Sequence, residues 1–543
     1  MKTLTKHSWG FSPPSTSWVH HSTPNASTLL VLRFRLRPSN FDTLLDHLSE
    51  TSDSFHERYG KHLSKTQVDE LMRPSNETLQ EVKDWLNWHG VGDKELPTSS
   101  DRLISVKIPV SAAETMLNTT YYVFEHTKSQ KKTLRTLEYS LPRHLHEHIN
   151  LVSPTTYFGT IESIRANSFL RSRTSGLNLT GDVTPPIGCV NTITPACLSC
   201  VNTTTPTCLK ELYNTANYIP SRISRNSIGI PKFQDQYASF SNLTVFTEEF
   251  LPQATNATFT VELFDGGQDN QNEPGIEANL DVQYATGLSW PTPMFFCSAG
   301  LNSLGESILE WLDFIATVPN DLPPSTFSTT HGDVEQNVPA DLATELCSGY
   351  ATPGVRGTSL MVAFVKPMMA RSGLHSRCPY VTTVGGTTGI GPEIASFPSG
   401  GGFSNLFARP SYQADAVSAF LIANGNNSAG LFNTTGRAYP DVAAQSQGFE
   451  IVFGGKVGAV DGTSCSSVTF AGVIALLNDF KLAKDGTTLG LLNPLLYANP
   501  NALNDITIGR NAGCGASGFS AGVGWDPVTG VGTPDFLKLQ AIV

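Results

Sequence analysis

DGTSCSSVTFAGVIALLND, Asp461 to Asp479, sets a glycine, a threonine and a serine directly ahead of an apolar run that reads as a buried helix. Ser464 is either the cap of that helix, a place serine favours, or a nucleophile held on a Gly-rich strand-to-helix turn, as several hydrolases hold one. The helix N-terminus would favour negative charge developing beside it. The second reading needs another residue to take the serine's proton.

Around this stretch the sequence alternates short apolar runs with Gly-rich turns. SLMVAFV, YVTTVGG and EIVFGG read as buried strands, and SILEWLDFIATV and VTFAGVIALLNDFKLA as long helices. Strands alternating with helices predict a mostly parallel α/β sheet from about residue 210 onward. Residues 1 to about 160 differ. FDTLLDHLSETS and SNETLQEVKDWLNWHG have helical periodicity, the second opening on a capping-type Ser75 with Glu77 in its first turn. LLVLRFRLR and ISVKIPV read as strands, so a small α+β domain is expected there. Residues 165–209 are rich in Ser, Thr, Pro and Gly and read as a linker.

At 543 residues the chain is long enough for two or more domains. Charged residues are only 15%, and the net charge is −11. Nothing concentrates enough Lys and Arg to neutralise many phosphates, so a nucleic-acid partner is not expected. No apolar run reaches about 18 residues, so no membrane span is expected. Residues 190–543 hold 15 Lys+Arg against 28 Asp+Glu, a net of −13, and the remainder nets +2. Eleven of the 13 histidines lie in the first 150 residues, with His144, His146 and His148 clustered. Histidine charges between pH 5 and 8, so the N-terminal half is a candidate pH-sensitive partner of the acidic half.

Sequons at Asn25, Asn76, Asn118, Asn178, Asn202, Asn242, Asn256, Asn426 and Asn433 favour a secreted protein, although MKTLTKHSWGFSPPSTSW lacks the apolar segment of a secretory signal. Of nine cysteines, four crowd between 189 and 208. A CxxC at 197–200 has half the look of a zinc site, but local disulfides suit an oxidising compartment better.

Two bases are available to Ser464. Only His331 and His375 lie in the second half, and a subtilisin-like reading would combine Asp281, His331 and Ser464. The residues after His331 are acidic, however, where such enzymes begin a helix with small residues. The stronger candidate is PGIEANLDVQYA. Glu277 and Asp281 stand four apart, so on a helix both carboxylates project from one face. The alternative is a solvated helix face, but Ile276, Leu280, Val282 and Tyr284 leave the segment short of charge partners. Two buried carboxylates cannot both ionise easily, so the pair retains a proton and can serve as a base in acid, where histidine is already protonated.

Across nearly its full length the chain resembles the sedolisin family of serine-carboxyl peptidases, especially its tripeptidyl-peptidase-like fungal members. The resemblance rests on PGIEANLDVQY, CPYVTTVGGTT, SGGGFSNLFARPSYQ, GRAYPDVAA, DGTSCSS and ALNDITIGRNAGCG…GWDPVTGVGTPDF. RYGKHLS and the helix ending in WLNWHGV resemble the family's propeptide. The resemblance implies a subtilisin-like, mostly parallel sheet flanked by helices, preceded by an α+β, ferredoxin-like propeptide over residues 1–164. A linker with the activation cleavage would follow at 165–209, and the peptidase domain at 210–543. It further implies Ser464 as nucleophile, Glu277 as general base and Asp281 as the group that orients it. One structural Ca²⁺ is implied, bound by the carboxylates of Asp505 and Asp526 and the carbonyls of Ile506, Gly522 and Gly524, hard oxygens such as calcium takes. Expected partners are peptide or protein substrates and the chain's own propeptide, acting as an intramolecular inhibitor until acid releases it.

The chain also departs from the family. A further aspartate normally follows the strand matching SLMVA and completes the oxyanion hole. Here no Asp or Glu occurs between Glu345 and Glu393, and the stretch carries Lys366, Arg371, His375 and Arg377. Losing an oxyanion donor typically costs about 10²–10³ in rate. Three accounts fit: a splicing or reading-frame fault across the loop, an impaired homologue, or a substitute donor such as Ser372 or a backbone N–H. The abrupt change of composition favours the first. Val468 also replaces the proline usual at the start of the nucleophile helix.

Overall fold

The computed structural model describes residues 2–92, 95–96, 100–159, 171–172, 203–233, 235–300, 303–319, 323–333, 335–363, 375–396, 399–512 and 518–543. The N-terminal body is built on a four-stranded antiparallel sheet in which β1 (Leu29–Leu36) pairs with β2 (Leu103–Pro109) on one side and β3 (Ile149–Ser153) on the other, and Glu95–Leu96 edges β2. Helices Phe41–Ser52 and Asn76–Trp88 form where the periodicity places them. Ser75 caps the second, its hydroxyl accepting the Thr78 N–H at 3.1 Å. Leu32, Phe34, Val82, Trp85, Val106 and Ile149 close a core of their own.

The C-terminal body is organised by a parallel sheet. Its strands are β4 (Ile228–Lys232), β5 (Thr260–Phe264), β6 (Met294–Ala299), β7 (Thr326–Thr329), β8 (Ser359–Ala363), β9 (Thr382–Thr388) and β10 (Val442–Gln445), in the order β5-β6-β4-β7-β8-β9-β10. Ile394–Ala395 adds a short antiparallel strand on β9. β4, β7 and β8 are buried at every residue, as continuous strands covered on both faces must be.

Helix α1 (Ile276–Ser289) and helix α2 (Thr463–Lys484) cover one face and share a core with Ile230, Met361, Val384 and Val442. The Leu304–Thr317 and Ala340–Val355 helices cover the other, through Ile308, Trp311, Leu346 and Tyr350 against Phe327 and Leu360. By length and composition α2 would suit a membrane span, because interspersed Ser, Thr and Asn extend its apolar run. It is instead the buried central helix of this body. The EIVFGG stretch is a strand, Phe449–Phe453, but outside the main sheet: it forms a hairpin with Lys456–Val460, and that hairpin leads into α2.

The N-terminal body docks on the face carrying the Leu304–Thr317 and Ala340–Val355 helices. Arg33 pairs with Glu310 at 3.4 Å, Arg35 with Asp313 at 2.7 Å, Arg102 with Glu345 at 2.8 Å and Arg135 with Glu306 at 3.0 Å. The charge difference between the halves therefore appears as arginines of one body against carboxylates of the other. The histidine cluster is not where this occurs. His144 lies 3.8 Å from Glu81, His146 Nε2 meets the Leu4 carbonyl, and His148 Nδ1 meets the Thr78 hydroxyl, all within the N-terminal body. His62 does lie at the junction, its Nε2 2.7 Å from the Thr488 carbonyl, and His7 is close enough to feel the charge of Asp341.

Cys347 and Cys378 form a disulfide, Cys208 is also disulfide-bonded, and Cys297 and Cys465 are buried thiols. Cys189, Cys197, Cys200 and Cys514 lie outside the described residues, as do Lys366, Arg371 and Ser372 of the altered loop and most of the 165–209 linker, whose end begins the helix Pro206–Leu212.

Candidate active site

Parallel sheets open their clefts at the carboxyl ends of their strands, and the candidate residues collect there. β4 ends on Lys232, β7 is followed by Thr330 and His331, and the Lys456–Val460 strand runs through Asp461 and Gly462 into α2. Gly462 has φ 152°, a conformation that a side chain would strain, and it turns the strand sharply into the helix. Gly462 is the residue that caps α2. Ser464 lies inside the first turn, so the cap reading does not hold. Its Oγ is fully buried and has no hydrogen-bond partner among the described residues.

Glu277 and Asp281 lie one turn apart on α1, at 3% and 0% exposure, which removes the solvated-face alternative. α1 and α2 pack in direct contact, so closely that a Cβ on Gly472 would lie 2.7 Å from Leu288 Cβ. Cys465, next to Ser464, has its thiol pushed well above its ordinary value, first by burial and then by the charges of Glu277, Asp281 and Asp461. The serine turn and the two carboxylates therefore share one electrostatic environment.

Burial also raises the Asp281 carboxyl to about 7; Lys232 pulls it down and Glu277 pushes it up. Lys232 is the site residue that sequence reasoning missed. Its ammonium lies 2.6 Å from Asp281 Oδ2 and 3.9 Å from Glu277 Oε1, and it donates to the Thr330 hydroxyl at 2.6 Å. The available signal was a lone lysine ending the apolar run IGIPK. His331 lies with its ring edge-on to Phe233 at 5.5 Å, while Asp281 is bound by Lys232 and Thr330.

Near the C-terminus the residues expected to bind calcium lie on two segments that hydrogen bonds hold together. Asp505 Oδ2 accepts the Gly524 N–H at 2.8 Å, and Asp526 Oδ2 accepts that of Gly522 at 2.9 Å. Asp526 Oδ1 accepts from Val528 and Thr529, and the Ile506 carbonyl meets the Thr529 hydroxyl at 3.4 Å. Asp526 is 1% exposed, and its described donors are all neutral. The two carboxylates are the kind of oxygen ligand calcium takes, and Asp526 is buried without a described cationic side chain, although its described partners here are N–H and hydroxyl donors.

Arg171 and Ser172, in the linker, pair antiparallel with Ala459 and Gly458, on the strand that leads to Ser464. Residues 171–172 of the expected linker therefore lie against the strand that leads to the nucleophile turn.

An α/β peptidase fold with a separate N-terminal activation body is the class these features define. The family described as "Pro-kumamolisin, activation domain" matches residues 16–158. Tripeptidyl-peptidase SED2 of Arthroderma otae is 34% identical over 550 residues, covering 93% of this chain and 90% of its own. Probable tripeptidyl-peptidase SED3 of Arthroderma benhamiae is 34% identical over 570 residues, covering 97% and 93%. Pseudomonas sedolisin, a serine-carboxyl proteinase, shares the fold with a TM-score of 0.50 at 21% identity, over 63% of this chain and 98% of its own. The chain belongs to the sedolisin family, among the fungal tripeptidyl-peptidase homologues that carry a propeptide, and is a serine-type peptidase.

Proposed function

We propose that this chain is the precursor of a secreted, acid-acting peptidase in which Ser464 attacks the scissile carbonyl, Glu277 takes its proton and Asp281 orients Glu277. The observation that supports this reading is the packing of α1, which carries two buried carboxylates, on α2, whose first turn carries a buried serine hydroxyl. The carboxylate pair suits acid, where an imidazole would be protonated. The proton taken from Ser464 would pass to the leaving amine, and water would release the acyl group by the same route in reverse.

The names of the relatives favour removal of tripeptides from peptide N-termini. A precursor is favoured by the activation-domain match and by the linker beside the nucleophile turn. Exposed sequons at Asn25, Asn118, Asn256 and Asn426 are consistent with secretion, while Asn242 is closed to glycosylation by burial and its bond to Asn279. Asp505, Asp526 and the carbonyls of Ile506, Gly522 and Gly524 would hold a calcium ion that braces the C-terminal loop.

The test is to incubate purified precursor at about pH 4, near the ordinary carboxyl range, and follow self-cleavage by mass spectrometry. Cleavage in the linker by the parent, absent from Ser464→Ala, supports the reading. A second reading, an impaired homologue that keeps the fold, is favoured by the lack of any acidic residue between Glu345 and Glu393. Under it, neither protein cleaves.

A further inference from the structure

The buried lysine beside the carboxylates has no part in a Ser-Glu-Asp scheme, and burying an ammonium is costly unless it is paired. Lys232 is 1% exposed. Its three described polar contacts are Asp281 Oδ2, the Thr330 hydroxyl and, further off, Glu277 Oε1. Every residue of β4 is buried, so the side chain has no route to solvent along its own strand. The strand is central to the sheet, between β6 and β7, which fixes the Lys232 backbone firmly.

The titratable groups along the surrounding elements are mostly acidic: Glu277 and Asp281 on α1, Asp461 and Cys465 at the nucleophile turn, and His331 and Asp333 after β7. Asp333 receives the Tyr157 hydroxyl of the N-terminal body at 2.7 Å. Without Lys232, two carboxylates in this environment would be expected to share a proton well into the neutral range.

We propose that Lys232 is a positioning residue of the catalytic set, anchoring Asp281 through its ammonium and lowering the pH at which the Glu277–Asp281 pair gives up its shared proton. This rests on the triad reading above. Its consequence is that the base is available in more acidic solution than an isolated carboxylate pair would allow. The buried ion pair thus sets where the enzyme works on the pH scale, and the cost of burying it is retained for that purpose.

The test compares the precursor with Lys232→Met and Lys232→Arg. The first readout is an infrared pH titration of the buried protonated carboxyl in a Ser464→Ala background, assigned by its loss in Asp281→Asn. It does not depend on activity. Lys232→Met should move the midpoint up by roughly one to three pH units, and Lys232→Arg should return it toward the parent value. The second readout is the pH profile of self-cleavage. Its acid limb should move in the same direction, with up to a tenfold loss of rate at about pH 4 for a one-unit shift. Lys232→Gln, which keeps an N–H donor without the charge, replaces Lys232→Met should that variant not fold.

An unchanged midpoint in the neutral variants overturns the proposal, even if their activity falls, because Lys232 would then be only structural. A shifted midpoint in a parent that shows no Ser464-dependent cleavage supports the role of Lys232 in the pair and counts against the function proposed above. The two ideas therefore fail separately.

Discussion

Ser464 lies in the first turn of a buried helix that packs against the helix carrying Glu277 and Asp281, and each residue of that group has a distinct expected phenotype. Glu277→Gln retains the shape of the side chain but removes its basicity. Self-cleavage should fall by about 10²–10⁴ at every pH, measured by the rate at which the mature band appears, with the fold intact by circular dichroism. A loss confined to one end of the pH range would point to a different base. At the proposed calcium site, a chelator should lower the melting temperature of the Ser464→Ala precursor, and Asp526→Asn should abolish that response. An ion 100-fold above its Kd is worth about 2.7 kcal/mol. No chelator effect would remove calcium from the account.

The packing of α1 on α2 depends on having no side chain at Gly472, because a Cβ there would meet Leu288 Cβ at 2.7 Å, with Leu288 Cδ1 next at 3.0 Å. Both elements are buried and neither can retreat without disturbing the sheet. Gly472→Ala should therefore cost about 1–3 kcal/mol by overpacking, outweighing the gain in helix propensity. Urea denaturation of the Ser464→Ala form would measure this. A neutral or stabilising result would mean that the helices have more room than their separation indicates.

At the scale of the whole molecule, the proposed acid activation would turn on what joins the two bodies. His62 packs against Gly357 and Gly490 of the peptidase body, where added Cβ atoms would lie 2.7 and 2.8 Å from its ring. Burial holds its pKa below the ordinary 6.5; the Thr488 carbonyl and Asp485 oppose that, and Lys481 adds to it. The docked body thus binds a proton on His62 less readily than the released one. Docking strength from this group is complete above about pH 6.5 and is lost as pH falls from there through the lowered value. His62→Gln should move the pH of propeptide release downward, read by limited proteolysis of the Ser464→Ala precursor. Changing His144, His146 and His148 together should leave it unmoved. The reverse pattern would put the sensor back in the cluster.

Much of this was legible in the residues. Apolar runs such as SLMVA and YVTTVGG are strands because fully buried strands need no alternation. The GTS turn, the four-residue spacing of Glu277 and Asp281, and the charge imbalance between the halves each depend on local covalent order, which a sequence states directly. What the sequence could not determine was which faces meet. The pattern of IEANLDVQY is the same whether its carboxylates face water or a second helix, and only the packing of α1 against α2 buries them. Lys232 stands 45 residues before Glu277, and nothing local marks it as a partner; it becomes one because a central strand ends beside that helix. The same holds for the histidines, where the cluster that stands out in the sequence faces its own domain and His62, outside that cluster, packs against the other body. Chain order sets the elements and their chemistry, but ion pairs and burial arise between segments distant in sequence, so the tertiary structure alone decides them.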